Sequence, residues 1–428
     1  MQKNKTNSVK KICYVILAIL VAVIVFFAGF FTNYFTMNAK HRQISWLIDM
    51  IDSRYCYYDE QTGEIKKFTV NDYAKAITNG LLDVYSTYYK PNEYSDLISS
   101  SKGKAYGVGL SFFTDGSLEI VNVSYNSPAE KAGIKAGGML KAITYLGERV
   151  NFNTFSDFTN LLETIPTSTQ FEIHIDYEFE QTFTVTKESF VTAYCRYSYS
   201  QTGLIFSSDY GKEPEKKQQD DEKNTSLPSF VAYIKYTSFM LPSTSQLEQS
   251  LDFAKSRNRN TVILDLRGNG GGYLSVLSDI CEFFINSEKS SNVIAVAVDK
   301  NGKKSFYKTS NNKYKDIELI VLADSGSASA SECFIGAMLY HGSLTYDKLV
   351  ITEKNGKATT YGKGIMQTTY PNYVYGDAVK LTTARLYWPD ETTCIHGKGI
   401  STTEKNSVSS SFGIDAQLLR AIEIAKGN

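Results

Sequence analysis

The hydrophobic pattern changes character several times along the chain. Residues 12–31 form a run of twenty without a charge, rich in Ile, Val and Phe, long enough to span a bilayer. Lys3, Lys5, Lys10 and Lys11 precede it. The positive-inside rule then predicts a cytoplasmic tail at 1–11, a transmembrane anchor at 12–32 and everything later outside the cell. The run exceeds an ordinary signal-peptide core and no A-x-A site follows it, which favours an uncleaved anchor. From 40 to 102 the period is helical, through Ile44, Leu47, Ile48 and Ile51, then Ile77, Leu81 and Leu82. Residues 104–188 read as short strands and two helices, the second an amphipathic stretch at 153–165 carrying Phe155, Phe158, Leu161 and Leu162. Residues 205–229 are dense in charge and poor in apolar side chains, a composition that supports no core and predicts a flexible insertion. From Phe230 onward strand and helix patterns alternate. Strands are expected near 230–236, 262–266, 293–298 and 317–323, with helices over 243–257, 274–285, 331–339 and 417–426. Such alternation predicts a layered α/β core at 230–428.

Composition narrows the function. At 428 residues the chain needs two or three cores. Lys plus Arg and Asp plus Glu each number 45, and that balance argues against a nucleic-acid protein. Of six cysteines, Cys13 falls in the apolar run and the other five are widely spaced with no C-x-x-C. This is neither a disulfide framework nor a zinc site, and Cys281 and Cys333 read as buried thiols on helices. Four histidines at positions 41, 174, 341 and 396 make no metal cluster by spacing. No metal and no cofactor are expected.

Three short stretches carry candidate chemistry. In residues 317–337, IELIVLADSGSASASECFIGA, a buried strand meets a turn of small residues and then an apolar helix. That arrangement puts the turn's last hydroxyl at a helix N-terminus, where free N–H groups favour developing negative charge, as a nucleophilic serine requires. Ser327, Ser329 and Ser331 are the candidates; an N-cap without chemistry is the plain alternative. In residues 262–274, VILDLRGNGGGYL, a strand runs into glycines that allow close backbone approach. Tyr273 occupies the last glycine's place of a dinucleotide G-x-G-x-x-G motif, and no G-x-x-x-x-G-K-[ST] occurs, so nucleotide binding is not indicated. In residues 360–367, TYGKGIMQ, Lys363 lies in a Gly-flanked uncharged setting that would desolvate it and keep it neutral as a base. A triad through His341 fails on distance: twelve residues along one helix separate it from Ser329 by roughly 18 Å.

Together S-A-S-A-S-E at 327–332, D-L-R-x-N-x-G-G at 265–272 and Y-G-K-G-x-x-Q at 361–367 resemble the carboxyl-terminal processing proteases of peptidase family S41, serine endopeptidases with a Ser/Lys dyad. The resemblance covers most of the chain from about residue 45. It implies an α/β protease core of ClpP/crotonase-like type with an inserted β-rich PDZ domain at 104–188, an N-terminal helical subdomain and one N-terminal transmembrane helix. It also implies Ser329 as nucleophile, Lys363 as base and Gln367 as the residue orienting that lysine. The oxyanion donors would be Ala330 and either Gly271 or Gly272, since the triple glycine blurs the alignment. Tyr106, Gly107, Val108, Gly109 and Leu110 lie where PDZ domains hold a terminal carboxylate. Lys380–Tyr387 and the IHGKGI segment at 395–400 also resemble family sequence, whereas Ser401, Thr402 and Thr403 stand where a proline is common. Tyr340 matches a helix position that is acidic in some members, so no acidic partner is expected there.

The base has a rival. Ser329 and Lys363 are 34 residues apart, longer than the family usually shows, and Lys354 and Lys357 sit earlier in the same region. Lys363 keeps the better chemistry, with flanking glycines, apolar neighbours and Gln367 at the matching offset. The implied activity is extracytoplasmic, membrane-anchored endoproteolysis of protein or peptide substrates with free, apolar C-termini, compatible with a homo-oligomer. The alternative is a membrane-anchored PDZ binding module with an inactive protease core.

Overall fold

The computed structural model describes residues 14–28, 39–55, 65, 67–112, 118–124, 127–135, 137–198, 227–285, 292–310, 313–314, 316–353, 356–409 and 415–427. Two units make up the chain, Met1–Gly80 and Leu81–Asn428. In the first, residues 14–28 (α1) are helical and exposed, and the rest of the expected anchor lies outside the described residues. Among the described residues no helix is long and apolar enough to cross a membrane. Helices α2 (Ala39–Arg54) and α3 (Val70–Leu81) follow. They meet where the Tyr73 hydroxyl donates to Asp52 at 2.5 Å, and Phe68 packs between Tyr55 and Tyr73 with ring centroids 6.0 and 5.9 Å away.

The second unit opens on the strand β1 (Thr87–Tyr89) and helix α4 (Pro91–Ser101). Thr87, Tyr88 and Tyr89 are β-branched or aromatic, residues that fit a pleated surface better than a helix; the helical pattern expected from 40 to 102 is broken here for that reason.

A small β body comes next. Strand β2 (Lys104–Gly107) leads to β3 (Leu110–Phe112), β4 (Ile120–Val123), the short helix α5 (Pro128–Lys131), β5 (Met139–Tyr145) and β6 (Glu148–Asn151). Helix α6 (Phe155–Thr164), β7 (Gln170–Asp176), β8 (Glu180–Thr186) and β9 (Glu188–Val191) complete it. Strands β6-β5-β7-β8 form one antiparallel sheet, while β3–β4 and β2–β9 are separate pairs. Thr154 caps α6, its hydroxyl accepting from Asp157 N at 3.2 Å. The apolar stripe of α6 places Phe158 in a core with Ile120, Leu140, Ile143, Ile173 and Ile175. Phe112 of β3 packs on Phe155 and Phe158 at 5.3 and 5.4 Å between centroids.

The third body is layered. Strands β10 (Cys195–Ser198), β11 (Val231–Tyr236), β12 (Thr261–Asp265), β15 (Glu318–Ala323), β16 (Leu349–Glu353) and β19 (Ser407–Ser409) form one sheet in that order. All its neighbours are parallel except β10–β11. Its central strands β11, β12 and β15 are buried on both faces, as a parallel sheet covered on both sides requires. Helix α10 (Ala416–Ala425) covers one face through Leu418, Ala421 and Ile422. Helices α7 (Ser243–Ser256), α8 (Leu274–Glu282) and α9 (Ala330–His341) cover the other. Beyond α9 lies a second, antiparallel sheet, β1-β18-β13-β14, made with β13 (Val293–Asp299), β14 (Lys304–Lys308) and β18 (Ala378–Tyr387). Strand β17 (Ile365–Pro371) pairs with β18 from its free side. Helix α9 is thus enclosed between two sheets, with ten of its residues from Ala330 to His341 buried. The helix boundaries fall within about three residues of the sequence expectation. The sequence predicts no strand over the β17–β18 ribbon, and residues 380–387 of β18 stand out only as family-like sequence.

Candidate active site

Two neighbouring parallel strands of the large sheet run into the glycine and serine motifs, and the lysine motif leads into β17 of the second sheet. Strand β12 ends at Asp265 and feeds the glycine turn, β15 ends at Ala323 and feeds the serine turn, and the two strands are hydrogen-bonded neighbours. A buried ionic cluster anchors the first. Asp265 is fully buried and accepts from the Tyr233 hydroxyl at 2.5 Å and Arg267 Nη2 at 2.6 Å, with Lys235 Nζ 3.2 Å away. Burial alone would raise its pKa, but Lys235 and Arg267 hold the carboxyl well below the usual range. Arg267 also reaches Asp415 at the start of α10 at 2.7 Å.

The serine turn is stitched to the glycine turn by two of its hydroxyls. Ser327 Oγ donates to Leu266 O and Ser331 Oγ to Asn269 O, each at 2.8 Å, and Ser327 and Ser331 are both fully buried. Ser329 differs. It caps α9 with φ +57°, a conformation costly for a residue bearing Cβ, and its hydroxyl makes no hydrogen bond among the described residues. Gly271 faces it: a Cβ on Gly271 would lie 2.8 Å from Ala328 O and Ala330 N and 2.9 Å from Ser329 Cβ. Only glycine fits that approach, and its φ of +99° agrees.

The expected oxyanion donors do not stand alike. Gly271 N–H is taken by Asn269 Oδ1 at 2.9 Å. Neither Ala330 N–H nor Gly272 N–H has a protein acceptor among the described residues. That leaves Ala330 and Gly272 able to serve an incoming oxygen.

Glu332, the last residue of S-A-S-A-S-E, has a role that its local sequence does not reveal. It is fully buried, and its carboxylate gathers four donors: Ser329 N at 3.0 Å, Thr360 Oγ1 at 2.5 Å, Gly362 N at 2.7 Å and Lys363 N at 2.8 Å. Burial pushes its carboxyl pKa up and the four donors pull it back. This one side chain ties the lysine segment to the serine turn. Tyr361 N adds a direct bond to Ser327 O at 3.0 Å. The segment 395–400 clamps the far side: Gly397 N donates to Gly362 O at 2.8 Å, and Cβ atoms on Gly362 or Gly364 would strike the backbone at 397–399 or at His396.

Lys363 is half-buried. Burial, then Lys380, lowers its pKa below the ordinary lysine value. Its Nζ stands 4.8 Å from the centroid of the Tyr85 ring, and no hydrogen bond joins it to Ser329 among the described residues. Unliganded sites commonly hold such pairs beyond hydrogen-bond reach. Lys357 is exposed, and Lys354 lies outside the described residues. Gln367, expected to orient the lysine, donates from Nε2 to Thr382 Oγ1 at 3.1 Å, and among the described residues no bond joins it to Lys363. Gln367 and Thr382 are direct partners in the β17–β18 pairing, just past a register shift between Met366 and Gln367. His341 Nε2 donates to Val293 O at 2.7 Å, so that ring serves packing. Cys195, Cys281 and Cys333 are buried free thiols. No group of three or more metal-ligating side chains occurs among the described residues.

At the small β body, Tyr106 and Gly107 lie in β2 and Leu110 in β3. Val108 is buried and Gly109 has φ +86°. The N–H groups of Val108 and Gly109 have no protein acceptor among the described residues.

Residues 230–405 match the model of peptidase family S41. A relative named "Probable CtpA-like serine protease" from Staphylococcus haemolyticus is 25% identical over 85% of this chain. The carboxy-terminal processing protease CtpA of Bacillus subtilis is 27% identical over 85% of this chain and 68% of its own. The match spans 64% of the staphylococcal relative's length, less than two thirds. A solved photosystem II D1 C-terminal processing protease covers 86% of each chain at 19% identity with a TM-score of 0.49. The serine, glycine and lysine motifs all lie within the residues that match, and there the chain is similar to peptidase family S41.

Proposed function

We propose that this chain is a serine endopeptidase that cleaves protein substrates through an acyl-enzyme. Ser329 Oγ attacks the scissile carbonyl, the neutral Lys363 amine takes its proton, and Ala330 and Gly272 N–H groups receive the oxyanion. Glu332 holds the two halves of the dyad at fixed register. The observation that carries the reading is the division of labour among the serines. Ser327 and Ser331 spend their hydroxyls on the glycine turn, while among the described residues the Ser329 hydroxyl is unengaged, at a helix N-terminus, on a strained backbone, opposite a glycine that nothing larger can replace. Strain of that kind persists where surrounding structure enforces it and function uses it.

The small β body at 104–188 is read as a PDZ domain. Consecutive unpaired N–H groups at Val108 and Gly109 suit a terminal carboxylate, and the groove between β3 and α6 suits an extended apolar C-terminus. The apolar run at 12–32 is read as the anchor that places the enzyme on the outer side of a membrane. Turnover of unfolded casein by the purified chain, measured beside Ser329→Ala, tests the core proposal. Hydrolysis lost only in the variant supports it; no hydrolysis by the unaltered chain favours the binding-module reading.

A further inference from the structure

Lys363 has no carboxylate to receive its charge. Among the described residues its ammonium enters no ion pair and no hydrogen bond. Three charged groups face it, Lys380 from β18, Asp83 from the turn before β1 and Glu332 from α9. His396 and Lys398 belong to the loop packed on Gly362 and Gly364. Both carboxylates are already engaged. Glu332 accepts its four donors, and Asp83 Oδ1 closes its own turn by accepting from Tyr85 N at 3.0 Å and Ser86 N at 2.9 Å.

What Nζ does meet is the face of Tyr85 at 4.8 Å, and that ring is built in. The turn it sits on is closed by Asp83, and Ser86 Oγ accepts from Thr382 N of β18 at 3.0 Å. Strand β1 then pairs with β18 through Thr87 opposite Lys380. The Tyr85 hydroxyl bonds to that of Tyr361 at 3.1 Å, and this bond, with burial, pushes its pKa up to about 12 and keeps the phenol neutral. Tyr85 also walls a cavity of about 460 Å³ with Val298, Ile365 and Tyr387, in the gap along β18 between β1 and β13.

The reaction makes contrary demands on the lysine. As the Ser329 Oγ–C bond forms, the O–H bond breaks, the proton passes to Nζ and the carbonyl pair moves onto oxygen. The ammonium then gives that proton to the leaving amine as the C–N bond breaks. A carboxylate beside Nζ would hold it protonated at rest, and a bare apolar wall would make the ammonium too costly. An aromatic face lies between these extremes. We propose that Tyr85 is a positioning residue for the base, its ring face receiving the Lys363 ammonium formed during acyl transfer. The inference rests on Lys363 being that base.

The test uses the full chain with Tyr85→Phe, then phenylalanine at position 85 fluorinated stepwise, which drains the π face and keeps the shape. Turnover of labelled unfolded casein is read against pH. Tyr85→Phe should keep turnover within about threefold. The fully fluorinated ring should lower it about tenfold and move the acid limb to lower pH, because a less stabilised ammonium loses its proton sooner. A rate and acid limb unchanged across the series would overturn the proposal. So would a loss in Tyr85→Phe as large as that of full fluorination, which would assign the effect to the hydroxyl. Lys363→Ala is run alongside. Activity retained there overturns the base assignment itself, whereas activity lost there with a flat fluorination series overturns the role of Tyr85 alone.

Discussion

Ser329 sits at φ +57° with a side chain that makes no hydrogen bond among the described residues, so stability and activity should separate there. Ser329→Ala keeps Cβ and the strain; turnover should fall at least about 10³-fold, with the thermal midpoint within about 2 °C of the parent. Ser329→Gly should be equally inactive yet more stable, by about 1 kcal/mol in chemical denaturation, because glycine adopts positive φ freely. An unchanged or lower stability would mean the turn is not strained. Lys363 makes a second case. Burial and Lys380 depress its pKa. Between the folded value and the ordinary lysine value, the unfolded chain therefore holds a proton the folded chain lacks. Stability attributable to this group rises with pH across that window. Lys363→Met should remove that slope and abolish turnover, while Lys357→Ala, at an exposed site, should leave both within about twofold of the parent. Activity surviving in Lys363→Met but lost in Lys357→Ala would reverse the assignment.

At the scale of elements, the site is a joint between three loops, and two residues hold it closed. Gly271→Ala drives a Cβ to 2.8 Å from backbone at Ala328 and Ala330 while demanding φ +99°. It should cost about 1–3 kcal/mol and shift the nucleophile enough to lower kcat about 10²-fold. Glu332→Ala strands three N–H groups and the Thr360 hydroxyl in a buried place, at a cost of about 3 kcal/mol or more. Urea titration of the two variants separates these effects. Equal midpoints for Glu332→Ala and the parent would show that the lysine segment is held mainly by Tyr361 and the 395–400 loop. Among the described residues, the α9 helix that follows the serine has no polar face to lose, so its position between two sheets is set by packing.

For the whole molecule, the expected division of labour predicts behaviour that no single site accounts for. Full-length Ser329→Ala should bind peptides that end in an apolar residue with a free carboxylate. Amidating those termini should weaken binding about tenfold or more, because the Val108 and Gly109 N–H groups would face no anion. Equal affinity for acid and amide in calorimetry would remove the carboxylate-loop reading. Four lysines precede the apolar run, so protease added to intact cells should digest the segment from 104 onward and spare residues 1–11. Protection of residues 104–188 would invert the orientation.

The alternation of strands and helices from Phe230, the buried thiols Cys281 and Cys333, and the three motifs were legible without coordinates, because period and glycine placement are local properties. So was the more sheltered setting of Lys363 compared with Lys357, since glycine and apolar neighbours along the chain already indicate it. The choice among Ser327, Ser329 and Ser331 rested on motif resemblance; which hydroxyl is left unengaged depends on Leu266 and Asn269, roughly sixty positions away. Gln367, expected to orient Lys363, pairs with and bonds to Thr382 across the β17–β18 ribbon, and strand register is set by the partner strand. Nothing local distinguishes Glu332 beyond its place in S-A-S-A-S-E, and only the return of the chain at 360–363 makes it a clasp. Tyr85, 278 positions before Lys363, meets it only because β1 and β17 both pair with β18. Local pattern determines elements and motifs. Which side chains of remote motifs touch is decided by sheet order and register, which enter only when the chain closes on itself.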